Sequence, residues 1–189
     1  MAKFINFEGL DGTGKTTLAK EYAKRYRGIY YYTPPEQIRD IRPFVDNSND
    51  ALIKYLYYMM GNAVASQEIR ILLKTSDVIA DRYIYTTIAY HSVLFGRDIK
   101  IPEGLFLPDL IIRVTASWEV IEKRIKERKI KNPFEEIDHL KKVAEKYDKI
   151  FEGLNNVIRI DTTNKKPNES LDEISEKLST HTGHMFKNF

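Results

Sequence analysis

The 189-residue chain contains no cysteine, which excludes disulfides and thiolate metal centres outright. It has no apolar run approaching the roughly 20 residues a membrane-spanning helix needs. Its first residues lead straight into a strand-like segment, leaving no room for a secretion signal. The expectation is a cytoplasmic protein with no membrane partner. Charge of one sign is not in large excess either: 30 Lys and Arg stand against 27 Asp and Glu, a net +3, with a pI near 8.8. That mild balance suits small anionic ligands and gives no nucleic-acid footprint. Internal repeats and low-complexity linkers are also missing, so residues 1–189 read as one domain with a substantial core.

What is present begins with Gly9-Leu10-Asp11-Gly12-Thr13-Gly14-Lys15-Thr16, which fits the phosphate-binding loop pattern G-x-x-x-x-G-K-[ST]. Lys3 to Phe7 before it suits a buried strand, and Thr17 to Tyr26 after it carries apolar residues at helical spacing. Three glycines let the backbone curl so that N–H groups face phosphate oxygens, and the following helix adds its positive dipole end. Lys15 supplies charge for the β- and γ-phosphates, and the Thr16 hydroxyl suits Mg²⁺. Residues 9–17, Thr17 included, are therefore the expected ATP-binding stretch.

Further strands are expected at Ile29–Tyr32, Asp77–Asp81, Pro108–Val114 and Val157–Asp161. A short helix is expected from Glu36, ending near Pro43, followed by a polar loop from Asp46 to Asp50. A long helix follows to about Lys74. Gly61-Asn62 within it marks either a bend or a close approach to the backbone. Helices are expected over residues 83–95 and 117–131, and from Asn132-Pro133 onward. A last one is capped by Ser170-x-x-Glu173. Five strands alternating with helices predict an α/β fold with a doubly wound, five-stranded parallel sheet of the P-loop NTPase type.

A triphosphate site serves a switch, a motor or a kinase. Asn164-Lys165-Lys166-Pro167 lacks the aspartate of a guanine-reading N-K-x-D motif, and a motor needs more chain than this. A kinase needs a second anion site and charge to neutralise the transferring group. Arg39, Asp81 and Arg82, at strand ends or in loops, supply candidates. So does the basic run Lys123, Arg124, Lys126, Arg128, Lys129 and Lys131, which is equally readable as a solvated helix face. A non-catalytic ATP-binding regulatory protein and a kinase of another small acceptor remain as alternatives.

Two long motifs narrow the choice. Phe7 to Thr17 resembles the opening of thymidylate kinases, and Asp81-Arg82-Tyr83-Ile84-Tyr85-Thr86-Thr87-Ile88-Ala89-Tyr90 resembles their D-R-Y-x-x-S-x-x-A-Y signature. The resemblance spans nearly the whole chain. It implies an ATP- and Mg²⁺-dependent nucleoside monophosphate kinase, a homodimer, with a short helical lid at about 124–135. Arg82 and Arg39 then hold the acceptor 5′-phosphate, and Asp11 faces the acceptor. Thr16 and Asp81 place the metal, Tyr90 excludes a 2′-hydroxyl, and Thr87 reaches the base. Thr13 stands where some members carry a catalytic arginine, so the resemblance assigns that cation to the lid, Arg128 first and Arg124 second. On the long helix the family's base-binding motif is replaced by Tyr57-Tyr58-Met59-Met60-Gly61-Asn62-Ala63. Either Met59 or Tyr58 then takes the stacking position, Asn62 the polar one, and Ala63 stands in place of an arginine. The same stretch also resembles the mitochondrial UMP/CMP-kinase branch, so the acceptor is dTMP or a broader pyrimidine set.

Overall fold

The computed structural model describes residues 1–127 and 136–185. Its centre is a five-stranded, all-parallel sheet in the order β2-β3-β1-β4-β5. The strands are β1 (Phe4–Glu8), β2 (Ile29–Tyr32), β3 (Val78–Asp81), β4 (Leu110–Thr115) and β5 (Val157–Asp161). β1 lies in the middle, with Ile5 opposite both Ile79 of β3 and Leu110 of β4. The strand order reverses at β1, the switch point where open α/β sheets place their ligands.

The strands read as apolar runs because helices cover both faces. Alternation sorts them: Ile5, Phe7, Ile79, Ile112, Val114, Ile158 and Ile160 pack beneath α1 (Lys15–Arg25) and α7 (Pro167–Met185). Phe4, Val78, Ala80 and Ile111 pack beneath α3 (Ala51–Leu72), α4 (Ile84–Leu94) and α6 (Ile137–Phe151). On the α1 side, burying Phe7, Leu18 and Ile112 contributes about 1.5–3 kcal/mol each. The second face also receives the polar Glu8 and Arg113, and both are buried.

Three expectations change in detail. Pro43 does not end a helix. A 3₁₀ turn over Glu36–Ile41 leads into α2 (Arg42–Asn47), with Pro43 in its first turn, where a missing N–H costs nothing. Ser170 does not cap the last helix, which starts at Pro167. There the Glu169 carboxylate accepts from the Lys166 N–H at 2.6 Å, while Glu173 pairs with Lys165 and Lys177. The Gly61 question resolves as close approach. α3 runs unbroken, and a Cβ at Gly61 would lie 3.2 Å from Ile38 Cδ1 and 3.3 Å from Pro34 Cβ. Asp50 caps α3 by accepting from the Leu52 and Ile53 amides.

α5 (Trp118–Lys126), capped by Ser117, ends just before residue 128. Arg128, Asn132-Pro133 and most of the expected lid lie outside the described residues.

Candidate active site

The loop after β1 turns through left-handed backbone at Gly12 (φ 84°) and Gly14 (φ 82°), which side-chain-bearing residues rarely adopt. Thr13 Oγ1 closes the turn by donating to the Leu10 carbonyl at 2.9 Å. Lys15 begins α1, with its side chain folded back over the sheet edge to 3.5 Å from Asp81 Oδ1 at the end of β3. Both groups are almost wholly buried. Burial pulls the Lys15 ammonium downward and Arg82 adds to that, while Asp81, Asp11 and Glu8 oppose it; the net shift is down. Burial alone would push the Asp81 carboxyl up. Lys15, then a hydrogen bond from Thr16, then Arg82 and Tyr30 outweigh it, and the net shift is down. Tyr30 donates to Asp81 Oδ2 at 3.0 Å.

Arg82 follows β3 directly and holds φ 69°, an uncommon conformation for a residue with a side chain. Its Nη2 donates to Asp11 Oδ1 at 2.8 Å, and its Nη1 donates to the Gly9 carbonyl and Thr86 Oγ1, both at 3.2 Å. Tyr90 donates to Asp11 Oδ2 at 3.3 Å and lies 5.7 Å beneath the Arg82 guanidinium. Behind them, Glu8 accepts from the Tyr83 amide (2.9 Å), the Thr86 hydroxyl, the Tyr147 hydroxyl (3.0 Å) and Asn6 Nδ2 (2.9 Å). A buried carboxylate with that many donors fixes where α4 begins, and hence where Arg82 sits.

In front of these groups opens a cavity of about 790 Å³. That volume suits a small-molecule ligand. One end is the phosphate loop from Leu10 to Thr17, with Arg82 and Tyr90 beside it. The far wall is built from α2, α3 and α4: Arg42, Asp46, Tyr58, Asn62, Thr87 and His91. The wall is cross-linked. Arg42 Nε donates to Asp46 Oδ2 (3.1 Å), Arg42 Nη1 to the Tyr32 hydroxyl (3.0 Å), and Tyr58 to Asp46 Oδ1 (2.8 Å). Asn62 Nδ2 donates to Thr87 Oγ1 at 2.8 Å.

A phosphate loop at one end of a cavity and an arginine–carboxylate pair beside it suit two phosphates meeting. Comparison with known proteins agrees. Residues 7–174 match the profile of the family described as Thymidylate kinase. The chain belongs to the thymidylate kinase family. A probable thymidylate kinase of Methanocaldococcus jannaschii is 36% identical over 90% of this chain and 93% of its own. One from Methanococcus aeolicus is 37% identical over 94% and 96%. The solved thymidylate kinase of Candida albicans has the same fold, with a TM-score of 0.78 at 23% identity, covering 95% of this chain and 93% of that one. As a member of the thymidylate kinase family, the chain is a nucleoside monophosphate kinase, and the family uses ATP as phosphoryl donor.

Most thymidylate kinase-like positions read from the sequence do line this cavity: residues Leu10, Asp11, Gly12 and 14–17 of the loop, with Tyr58, Asn62, Arg82, Thr87 and Tyr90. Three do not. Met59, offered as a stacking residue, packs against the hydrophobic core instead. Arg39 turns aside, donating to the Pro34 carbonyl at 3.4 Å and lying 5.4 Å over the Tyr32 ring. Arg124 is tied behind the loop, donating to the Gly12 carbonyl (3.1 Å) and to Thr162. Sequence reading missed Glu8, Arg42, Asp46 and His91. Only Glu8 carried a signal, a lone acid closing an otherwise uncharged strand.

Among the described residues no three His, Cys, Asp or Glu side chains gather as a metal cage. The donors nearest Lys15 are the Thr16 hydroxyl and the Asp81 carboxylate, while the Asp11 carboxylate in the same cavity is engaged by Arg82 and Tyr90. That set fits Mg²⁺, which keeps most of its shell as water and substrate phosphate.

Proposed function

We propose that the protein transfers the γ-phosphoryl group of ATP to dTMP, forming ADP and dTDP. The observation that carries this is the single cavity joining the Lys15 loop to the Arg82–Asp11 pair. The loop amides and Lys15 hold the donor's β- and γ-phosphates. Thr16 and Asp81 would hold Mg²⁺, which neutralises phosphate charge when bound. Arg82 holds the acceptor phosphate in line with the donor, and Asp11 and Tyr90 fix that guanidinium. Little covalent chemistry is asked of the side chains, because positioning and neutralisation carry phosphoryl transfer. Tyr90, under Arg82, packs where the acceptor sugar lies and excludes a 2′-hydroxyl. Arg42, not Arg39, is the second acceptor cation, because it lines the cavity and its Nη2 makes no hydrogen bond among the described residues. The catalytic lid cation is Arg128.

The protein works as a homodimer. Leu52, Leu56 and Met60 recur every four residues along α3, and all are more than 40% exposed. Such a stripe suits a second copy of the same helix. Light scattering at a dimer's mass supports this, and a monomeric mass would overturn it. No helix among the described residues is long and apolar enough to cross a membrane. The site's soluble nucleotide substrates support a cytoplasmic protein.

The deciding experiment is ADP release with ATP and Mg²⁺, measured with dTMP, dUMP, dCMP, UMP and CMP and without acceptor. Release that depends on dTMP is expected, and is lost in Lys15→Ala. Release indifferent to every acceptor would leave only an ATP-binding protein.

A further inference from the structure

A guanidinium has N–H donors on Nε, Nη1 and Nη2. In Arg82 both Nη1 hydrogens are engaged inside the protein, by the Gly9 carbonyl and by Thr86 Oγ1, each at 3.2 Å. That leaves the Nε–Nη2 edge, steadied by Asp11, to meet an acceptor phosphate. Thr86 therefore helps to decide which way that edge points. A threonine on a helix has a choice, because its Oγ1 divides between two rotamers, one bonding back to a carbonyl a turn earlier. Here Oγ1 instead accepts from Arg82 and donates to Glu8.

A residue from α6 holds it there. The Tyr147 hydroxyl lies 2.7 Å from Thr86 Oγ1 and donates to Glu8 Oε2 at 3.0 Å. Tyr147 is fully buried, with the Arg113 guanidinium 4.1 Å from its ring centroid and Phe151 stacked at 5.6 Å. Burial, then Glu8 and Tyr90, raise the phenol well above its usual range, outweighing Arg82 and Arg113, so the hydroxyl keeps its proton. Packing alone would be served by phenylalanine, without the cost of burying a hydroxyl. Glu8 already accepts from Asn6, the Tyr83 amide and Thr86. What the Tyr147 hydroxyl adds is a second hold on Thr86.

We propose that Tyr147 is a positioning residue for phosphoryl transfer, its hydroxyl holding Thr86 in the rotamer that accepts from Arg82 Nη1 and so fixing the guanidinium edge offered to the acceptor phosphate. This rests on the nucleotide-kinase reading above and adds a residue from α6, a helix that lines no part of the cavity. Tyr147 touches no substrate and acts only through Thr86 and Arg82.

The test is a double-mutant cycle. kcat and KM for dTMP and for ATP are measured for the native enzyme, Tyr147→Phe, Thr86→Val and the two combined, with Thr86→Ser as the conservative variant. Thermal melting verifies that each variant folds. Y147F should lower kcat/KM for dTMP about tenfold, the effect of roughly one hydrogen bond, with KM for ATP within a factor of about two. T86V should lose at least as much, and T86S, which keeps the hydroxyl, should stay within about threefold of native. In the T86V background, Y147F should lower kcat/KM by less than about twofold more, because the group it acts through is gone. A purely structural hydroxyl would give the same loss in both backgrounds, or a matching rise in KM for ATP. Either result overturns the assignment, as does unchanged kcat/KM in folded Y147F. If Y147F does not fold, 4-fluorophenylalanine in place of Tyr147, which fills the oxygen's space without a proton to donate, carries the same cycle. Absence of any acceptor-dependent ADP release from the native enzyme would instead overturn the kinase reading itself.

Discussion

Arg82 Nη2 lies 2.8 Å from Asp11 Oδ1, joining the residue after β3 to the phosphate loop after β1. The pair is mostly buried, and its arginine sits at φ 69°. Backbone strain of this kind persists where the surroundings over-determine it. Here the Arg82 amide donates to the Phe7 carbonyl at 3.0 Å, and Glu8 takes the next amide along. The cation is thereby placed before any substrate arrives.

Replacing Arg82 should separate chemistry from backbone. Arg82→Ala is expected to lower kcat/KM for the acceptor by about a hundredfold or more. Arg82→Gly should lose the same activity yet unfold at higher denaturant, by about 1 kcal/mol, because glycine accepts left-handed backbone without strain. Steady-state kinetics and urea melts of the two variants read these effects independently. Equal stability of the two would mean the conformation is not strained.

Arg42 and Arg39 make a second comparison. Arg42→Ala should raise KM for the acceptor about tenfold while KM for ATP stays within a factor of two. Arg39→Ala, whose guanidinium lies over the Tyr32 ring, should change neither by more than about twofold. The reverse pattern would return the acceptor phosphate to Arg39.

Gly61 predicts a packing effect. A valine there would drive its methyls into Ile38, Pro34 and Pro35, which stand 3.2–3.6 Å from the first added carbon alone. Gly61→Val should cost about 1–3 kcal/mol, despite leaving helix geometry intact. It should also raise acceptor KM, because Pro34 and Gly61 both line the cavity. Denaturant melts and initial rates test both parts.

His91 gives a pH prediction. Its folded value, about 4, lies below the ordinary 6.5. Between those values the unfolded chain holds more protons than the folded one, so stability falls as pH is lowered from 6.5 toward 4. The loss is roughly 3 kcal/mol at most, and above 6.5 this group contributes no slope. His139 is also shifted down by burial and adds slope of the same sign. Urea midpoints at pH 7 and pH 5 should converge in His91→Gln relative to the native protein.

The phosphate loop, all five strands and the D-R-Y segment were legible because each is a local pattern whose physics is complete within ten or so residues. Arg42 and His91 were not, since neither stands in a motif. Arg42 is placed by Tyr32 and Asp46, and His91 by the Thr87 carbonyl one turn earlier on α4. Arg39 and Met59 fail to line the cavity for a related reason. Sequence spacing put them near the right place, but which way a side chain turns depended on Tyr32, Pro34 and the core. Pro43 was read as a stop where it is a start, since proline is tolerated in a first turn and the sequence does not mark which turn is first.

The central place of β1 has a consequence for how the chain comes to be folded. Lys3 and Phe4 donate their amides to Asp77 and Asp109, which lie 74 and 105 positions later. The central strand of the sheet therefore waits for its first neighbour until residue 81 has been made and for its second until residue 115. Until then Phe4, Ile5 and Phe7 form an unpaired apolar edge, the kind of segment that chaperones shield and that invites aggregation. The phosphate-binding loop hangs from that edge, so nucleotide capture is a late event in the life of each molecule.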